Sequence, residues 1–416
     1  MKILWFVNIS MPAVLEHIGQ KITGSGWWLS GLANEFKKDN SIDLTIAHCS
    51  HKYEKFEKFD SEGITYWMIP AKNRNIVGWN SSGLVKKLAE YIDNEKFDLI
   101  DVHGSEYVYG LVASLIKVPT VITIQGFVSE VVKNKYGRVN LLNTIRQTRG
   151  ISDIKSNLIL IYTDIINYFR ARSELNIFKQ AAYFIGRTEW DKAMVAKLSP
   201  SLKKYYVCWE IMRPIFYEQF WTGDLKDDNF TLFQCGRIVP YRGTDRLIYL
   251  LAELKEKFPK ISLRLAGGTG VTSWEKYIKR LARKLNVIDR ISFLGYLSSE
   301  QLAQELRNAA VFVYPSYVDN SSNSLAEAMC IGIPCVSSNV GGITTMIKDG
   351  YNGLLFNPDD LQQMTQQVSR VLVDRKLAQE LGKNARKVAI NRHDSQKVAD
   401  ETKNAYESIL NDWAAK

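Results

Sequence analysis

"FTLFQCGRIVPYRGTDRLIYLLAELKEKF" runs from Phe230 to Phe258. Its first seven residues, apolar and bounded by a glycine, read as a buried strand. From Thr244 onward, apolar residues recur every three or four positions and read as an amphipathic helix. Between them a Pro-Tyr turn carries two arginines, Arg237 and Arg242. Strand, charged turn and helix make one βα unit, and the unit repeats along the chain. Downstream, "ISLRLAGG", "RISFLG", "AAVFVYPS", "IPCVSS" and "GLLF" read as strands, with helices such as "SWEKYIKRLARKLN" between them. Upstream, "KILWFVN", "DLTIAHCS", "GITYWMIP", "FDLIDVHG" and "PTVITIQG" read as strands, with "WWLSGLANEFKK", "LVKKLAEYIDNE" and "YVYGLVASLI" as helices. Apolar strands alternating with helices predict parallel sheets covered on both faces. The fold class is therefore α/β, with two doubly wound, Rossmann-like domains. Ligands in such sheets bind beyond the carboxyl ends of the strands, and two such domains place a site in the cleft between them.

The expected domains are 1–215 and 216–395, with a last helix at 396–416 packing back on the first domain. The polar stretch "TGDLKDDN" (Thr222–Asn229) reads as the linker. Between about 129 and 179 the βα alternation lapses. That insertion reads as helical, and its basic residues, among them Lys133, Lys135, Arg138, Arg146, Arg149, Arg170 and Arg172, outnumber its acids. It reads either as a solvated helical face or as a surface for an anionic lipid or lipid-linked acceptor.

Composition excludes several classes. A chain of 416 residues with 46% hydrophobic and 24% charged residues is ordinary for a globular protein. No apolar run approaches the length of a membrane-spanning helix; "NLILIYTDIINYF" (Asn157–Phe169) comes nearest, and Asp164 interrupts it. "MKILWFVNIS" reads as a first strand rather than a signal segment. Five scattered cysteines with no C-x-x-C read as reduced, buried thiols of a cytoplasmic protein. The five histidines lack metal-site spacing. A net charge of +10 favours an anionic partner, yet no nucleic-acid-binding module is visible.

A second stretch, "SYVDNSSNSLAEAMCIGIPCVSS" (Ser316–Ser338), sets Asp319 and Glu327 eight positions apart around small polar residues. Ser324 to Glu327 reads as a capping box, with Gly332 ending the helix. A helix N-terminus reached through small residues also suits an anion, because free N–H groups and the helix dipole point at it. Arg237 and Arg242 suit a diphosphate through forked charge-assisted bonds. "AGGTG" (with Gly267 and Gly268), "FLGYLSSEQL" (with Tyr296) and "SNVGGITTMI" fall at the ends of neighbouring strands.

Taken as an ordered set, "GRIVPYRGTDRLI", "LAGG", "FLGYLSSEQL", the acid-x7-acid segment with "EAMCIGIPCVSS", and "GGITTMIKDGYNGLLF" resemble the retaining GT-B glycosyltransferases of family 4. The likeness runs over nearly the whole chain and is strongest from Phe230 to Phe356. "HGSE", "TIQG" and "GRTEWD" add a likeness to bacterial envelope-polysaccharide transferases. The resemblance implies that Asp319 meets the hydroxyls of a donor sugar and Glu327 the ribose of its nucleotide. Asn320, Ser321, Ser322, Asn323, Ser324 and Leu325 would then line the sugar and diphosphate. Arg237 and Arg242 fall where the family binds the diphosphate. Gly26 falls on its N-terminal Gly-rich loop, and Gly267, Gly268 and Tyr296 on donor-side loops.

Three departures stand out. The first acid is Asp rather than Glu. Arg242 replaces a lysine. Gln125, in "TIQG", replaces a histidine, so it can hydrogen-bond a sugar but cannot carry a proton. His103, Glu106 and Arg187, at neighbouring strand ends, are acceptor-side candidates.

The resemblance implies a retaining, metal-independent hexosyl transfer without a cofactor. The donor is a nucleotide sugar, uridine favoured, and the acceptor a glycan or lipid-linked intermediate of envelope polysaccharide. The expected place is the cytoplasm, at the inner face of the membrane. A sugar-nucleotide epimerase, a phosphorylase or a non-catalytic two-domain sugar-binding protein remain as alternatives.

Overall fold

The computed structural model describes residues 1–21, 26–71, 81–139, 151–223, 230–268 and 272–415. The chain divides into two compact units. The first comprises Met1–Val132, Asp164–Ile211 and His393–Lys416; the second comprises Lys133–Thr163 and Met212–Arg392. The change of unit thus falls at Ile211/Met212, ahead of the stretch read as a linker, of which 224–229 lie outside the described residues.

The first unit holds an eight-stranded sheet: β1 (Lys2–Val7), β2 (Asp43–Ser50), β3 (Glu57–Ser61), β4 (Ile64–Pro70), β5 (Leu99–His103), β6 (Thr120–Thr123), β7 (Tyr183–Gly186) and β8 (Lys204–Val207). Their order is β3-β4-β2-β1-β5-β6-β7-β8. Every pair is parallel except β3 with β4. Alternation along β1 builds both faces. Ile3, Trp5 and Val7 enter one core and Leu4 and Phe6 the other, as a side-chain period of two requires. The helix Ser395–Ala414 covers the Trp5 face, where Tyr406 accepts a hydrogen bond from Trp5 Nε1 at 3.1 Å and donates to Asp101 Oδ2 at 2.5 Å.

The alternation resumes in the sequence at "AAYFIG", which is β7, but two strands escape the sequence reading. β3 is a short, half-exposed edge whose polar "EKFDS" lacks an apolar pattern; Glu62 and Gly63, both at positive φ, turn it into β4. β8 is likewise short and partly exposed. The segment "YVYGLVASLI", read as an α-helix, is a 3-10 helix over Val108–Ser114.

The second unit holds six parallel strands: β9 (Thr231–Cys235), β10 (Ser262–Ala266), β11 (Ile291–Gly295), β12 (Val311–Tyr314), β13 (Cys335–Ser338) and β14 (Leu354–Phe356). Their order is β11-β10-β9-β12-β13-β14. From β9 the chain winds first toward β11 and later toward β14. The order therefore reverses between β9 and β12, where a doubly wound sheet opens a crevice at its carboxyl edge. In the first sheet the corresponding reversal lies between β1 and β5.

Candidate active site

In the second unit, the loops beyond β9, β10, β11, β12 and β13 meet at one edge. Glycine makes the approach possible at two decisive places. Gly243 (φ 68°) would bring an added Cβ within 2.0 Å of the Pro315 carbonyl oxygen. Gly341 (φ 50°) would bring one within 2.0 Å of the Asp319 carbonyl oxygen, which accepts from Gly342 N at 3.0 Å. The β9 loop thus rests backbone-on-backbone against the β12 loop, and the β13 loop braces Asp319. Gly267 N donates to Gly295 O at 2.6 Å, joining the next two loops, and Gly268 lies against the ring of the exposed Tyr296.

The two arginines of the β9 loop are unlike. Arg242 closes a 3-10 turn, Pro240–Arg242, and its Nη1 donates to Asp319 Oδ2 and to the Tyr314 hydroxyl. Burial pulls its pKa down, but the Asp319 carboxylate and the phenols beside it outweigh that and hold it above its ordinary value. Asp319 Oδ1 accepts from its neighbour Asn320 N at 2.9 Å. The Arg237 side chain is exposed and has no hydrogen bond or ion pair among the described residues.

The helix after β12 runs over Asn323–Ile331, with Ser322 as its N-cap; Ser322 Oγ accepts from Leu325 N at 3.3 Å. The helix therefore starts ahead of Ser324, and the capping box drawn from Ser324 to Glu327 does not form. Glu327 is the fifth helical residue, two positions past the one that reaches back to the N-cap. Gly332 does end the helix, at φ 84°. Glu327 Oε1 instead accepts from Arg213 Nε at 3.0 Å and Nη2 at 2.5 Å, in a pair only 9% and 14% exposed. Arg213 Nη1 also donates to Ser299 Oγ at 2.9 Å, and its guanidinium lies 4.6 Å over the Phe216 ring. Asn320, Ser321, Ser322 and Leu325 are buried, Ser322 and Ser324 hydroxyls stand 3.1 Å apart, and Asn323 Oδ1 is buried without a hydrogen-bond partner. First-turn N–H groups of a helix have no intrahelical acceptor, so this edge offers donors beside two guanidiniums.

The first unit has a different kind of site. His103, Gln125 and Arg187 follow or end β5, β6 and β7 and line one small cavity of about 30 Å³, together with Asp101 and Glu210. That volume suits about two waters or a single hydroxyl-sized group. Arg187 is fixed on three sides: to Ile124 O at 2.7 Å, Gln125 Oε1 at 3.2 Å and Glu210 Oε1 at 2.9 Å. Gln125 Nε2, Arg187 Nε and both ring nitrogens of His103 are buried without a hydrogen bond. His103 Nε2 stands 3.4 Å from Asp101 Oδ2. Burial lowers the His103 pKa; Asp101 opposes this and Arg187 adds to it, so the ring is neutral.

Glu106 lies on the same strand-end loop. Asn8 Nδ2 donates to its Oε2 at 2.5 Å and to His103 O at 3.1 Å. Gly104 (φ 96°) lets that carboxyl fold back, since an added Cβ would lie 2.1 Å from Glu106 Oε2. Burial, with Glu174 helping, raises the Glu106 pKa to about 7 against the pull of backbone bonds, Arg170 and Asn8. Glu174 is buried as well, accepting from Ser105 Oγ, Val128 N and Ser129 N. Gly26 caps the helix Trp27–Phe36 at φ 84°; the preceding loop, 22–25, lies outside the described residues.

Sequence reasoning missed Arg213, Tyr314 and Glu210. Arg213 precedes a proline and pairs with a residue 114 positions away, so nothing local marks it. Tyr314 reads as a strand residue, and only its terminal position on β12 hints at more.

Two mainly parallel α/β sheets with loops gathered at their carboxyl edges define the GT-B class. Sucrose-phosphate synthase from Thermosynechococcus elongatus superposes over 100% of both chains, with a TM-score of 0.73 and 18% identity. Anabaena HepE in complex with UDP-glucose superposes over 98% of this chain and 100% of its own, at TM-score 0.69 and 16% identity. Residues 216–388 match the family described as glycosyl transferases group 1. Over that segment, under half of its length, the chain is similar to the group 1 glycosyl transferases. A D-inositol 3-phosphate glycosyltransferase of Stackebrandtia nassauensis is 30% identical over 156 residues, 36% of this chain and 35% of that protein. The chain spans less than half the length of the curated relatives it matches.

Proposed function

We propose that the chain is a retaining glycosyltransferase that takes a sugar from a nucleotide-sugar donor, UDP favoured, and passes it to a lipid-linked or polysaccharide acceptor. The observation that carries this reading is the carboxyl edge of the second sheet. There Arg242 with Asp319, Arg213 with Glu327, the unpaired Arg237 and a helix N-terminus converge. Diphosphate oxygens would meet Arg237 and the Arg242 side chain, with first-turn N–H groups completing the cradle. Asp319 would turn its acceptor capacity to sugar hydroxyls, and Glu327 to ribose hydroxyls. UDP-glucose bound by a chain of the same fold supports the choice of nucleotide.

As the bond from sugar to phosphate lengthens, negative charge grows on the diphosphate. Fixed guanidiniums stabilise that charge more in the transition state than in the ground state. Retention at the anomeric carbon follows when the acceptor enters on the face the diphosphate leaves, with a phosphate oxygen taking the acceptor proton. In the first unit, the neutral His103, Gln125 held by Arg187, and Glu106 offer donors and acceptors to neutral hydroxyls. The basic insertion would hold the enzyme against anionic lipid in a salt-sensitive way, at about 1 kcal/mol per basic residue near the surface.

The test is a thermal-shift screen of nucleotide sugars followed by product analysis with and without acceptor. A ligand that binds only the folded state raises its melting point. Stabilisation by a UDP-sugar and a product with retained configuration support the reading. Interconversion of the sugar nucleotide without acceptor would make the protein an epimerase instead.

A further inference from the structure

No described side chain of the apolar run Asn157–Phe169 enters a hydrophobic core. It lies within one long helix, Ile151–Gln180. In that helix Leu158, Ile161, Tyr162, Ile165, Tyr168 and Phe169 are between 42% and 62% exposed. At about 100° per residue these six fall within a sector of roughly 120°. Leu158, Ile161, Ile165 and Phe169 occupy its middle, and Tyr162 and Tyr168 mark its two margins. The opposite side carries Asp164, Asn167 and Arg170, all partly covered, with the Arg170 guanidinium 5.1 Å over the Tyr107 ring. Farther along the same side, Glu174 is buried.

The outer side is apolar as far as Phe169 and becomes polar only past it, at Arg172, Asn176 and Lys179, while the covered side mixes polar residues with the partly covered Ile166. Six large apolar side chains in one contiguous strip mark an interaction surface rather than scattered exposure. No helix among the described residues is long and apolar enough to cross a membrane.

We infer that this helix lies flat in the interface of an anionic lipid surface, inserting Leu158, Ile161, Ile165 and Phe169 among the acyl chains. Two observations select lipid over another protein. The first is charge. The segment 129–179 carries nine Lys and Arg against four Asp and Glu. Its net +5 is half of the whole chain's +10, a balance that repels a second copy and attracts anionic headgroups. The second is the pair of marginal tyrosines, whose rings and hydroxyls suit the boundary between acyl chains and headgroups. The inference deepens the membrane-surface part of the proposed function by adding insertion to attraction, and it is independent of the transfer chemistry.

The experiment uses the full chain and vesicles of phosphatidylcholine with and without phosphatidylglycerol. Cosedimentation is measured for the wild type, for Ile161→Ser/Ile165→Ser/Phe169→Ser, and for Arg172→Glu/Lys179→Glu. The wild type is expected to bind anionic vesicles. The apolar triple variant is expected to lose at least about tenfold in affinity with its basic residues intact. Its circular dichroism and UDP binding should be unchanged. A second readout avoids loss of folding: Ile165→Trp should shift its fluorescence to the blue on anionic vesicles and be quenched by bromine-labelled acyl chains. Undiminished binding by the triple variant, with binding lost on charge reversal, would leave a purely electrostatic surface and overturn insertion. A wild type that ignores vesicles but dimerises, and a triple variant that is monomeric, would assign the strip to a second copy and overturn it too.

Discussion

The two strand-end sites handle polarity in opposite ways. In the second unit the charges are matched in pairs, Arg242 with Asp319 and Arg213 with Glu327, leaving Arg237 exposed and unpaired. Paired groups can exchange partners when a strongly anionic ligand arrives, so the desolvation cost of the arginines is met before binding. In the first unit the groups around the small cavity are buried with hydrogen-bonding capacity unspent, and the imidazole is neutral. Such atoms reward a neutral hydroxyl and penalise its absence. The first arrangement is chemically suited to an anion and the second to a neutral hydroxyl.

The largest effect that would sharpen this contrast is at Glu327. Glu327→Gln should abolish measurable transfer and weaken UDP binding by ~1.5–3 kcal/mol, the worth of a charge-assisted hydrogen bond. It also leaves Arg213 nearly buried without its counter-ion, so the melting point should fall. A melting-point loss with UDP affinity intact would reduce Glu327 to a structural partner of Arg213. Gln125 comes next. Gln125→Ala should lower turnover, and Gln125→Glu should lower it further, because the carboxylate lacks the Nε2 donor and adds a charge to the cavity lined by Asp101 and Glu210. A fully active Gln125→Glu would remove Gln125 from the neighbourhood of the reaction.

Glu106 gives the smallest effect, and one read in stability. Its pKa in the fold, about 7, lies above the ordinary value of 4.5. The folded state therefore binds the extra proton between those values, and Glu106 contributes stability that is present below about pH 4.5 and lost as pH rises through 7. Glu106→Gln should flatten that part of the stability profile. Chemical denaturation of wild type and variant across this range checks it; parallel profiles would place the Glu106 carboxyl in water.

Much of this contrast was legible from Phe230 onward, where each functional residue sits next to a strand end. Arg237, Arg242 and Asp319 could be placed on one edge because the βα alternation fixes which turns face the same way. The helix start at Ser322 rather than Ser324 was not legible, since three serines and two asparagines within five positions offer several competent caps. Arg213 was hidden for a different reason: an ion pair across 114 residues leaves no periodic trace. In the first unit the cavity was foreshadowed only by position. His103, Gln125 and Arg187 were each assigned to a strand end, but Glu210, which fixes Arg187, lies in "CWEIMRP" beyond β8, a strand too short and exposed to be recognised. The basic insertion was read for its charge. Arg146 and Arg149 lie outside the described residues, and the apolar strip on the following helix emerged only once exposure was known.

The most direct test of the account is calorimetric titration of UDP and of UDP-glucose into wild type and Asp319→Ala, each with and without EDTA. In the proposed function Asp319 would meet the sugar, and Arg237 and Arg242 would supply the cationic contacts to the diphosphate. The account expects Asp319→Ala to hold UDP about as tightly as wild type, to bind UDP-glucose at least about tenfold more weakly than wild type does, and to show no effect of EDTA. Equal losses for UDP and UDP-glucose in the variant, or UDP binding by wild type that vanishes with EDTA and returns with magnesium, would contradict it.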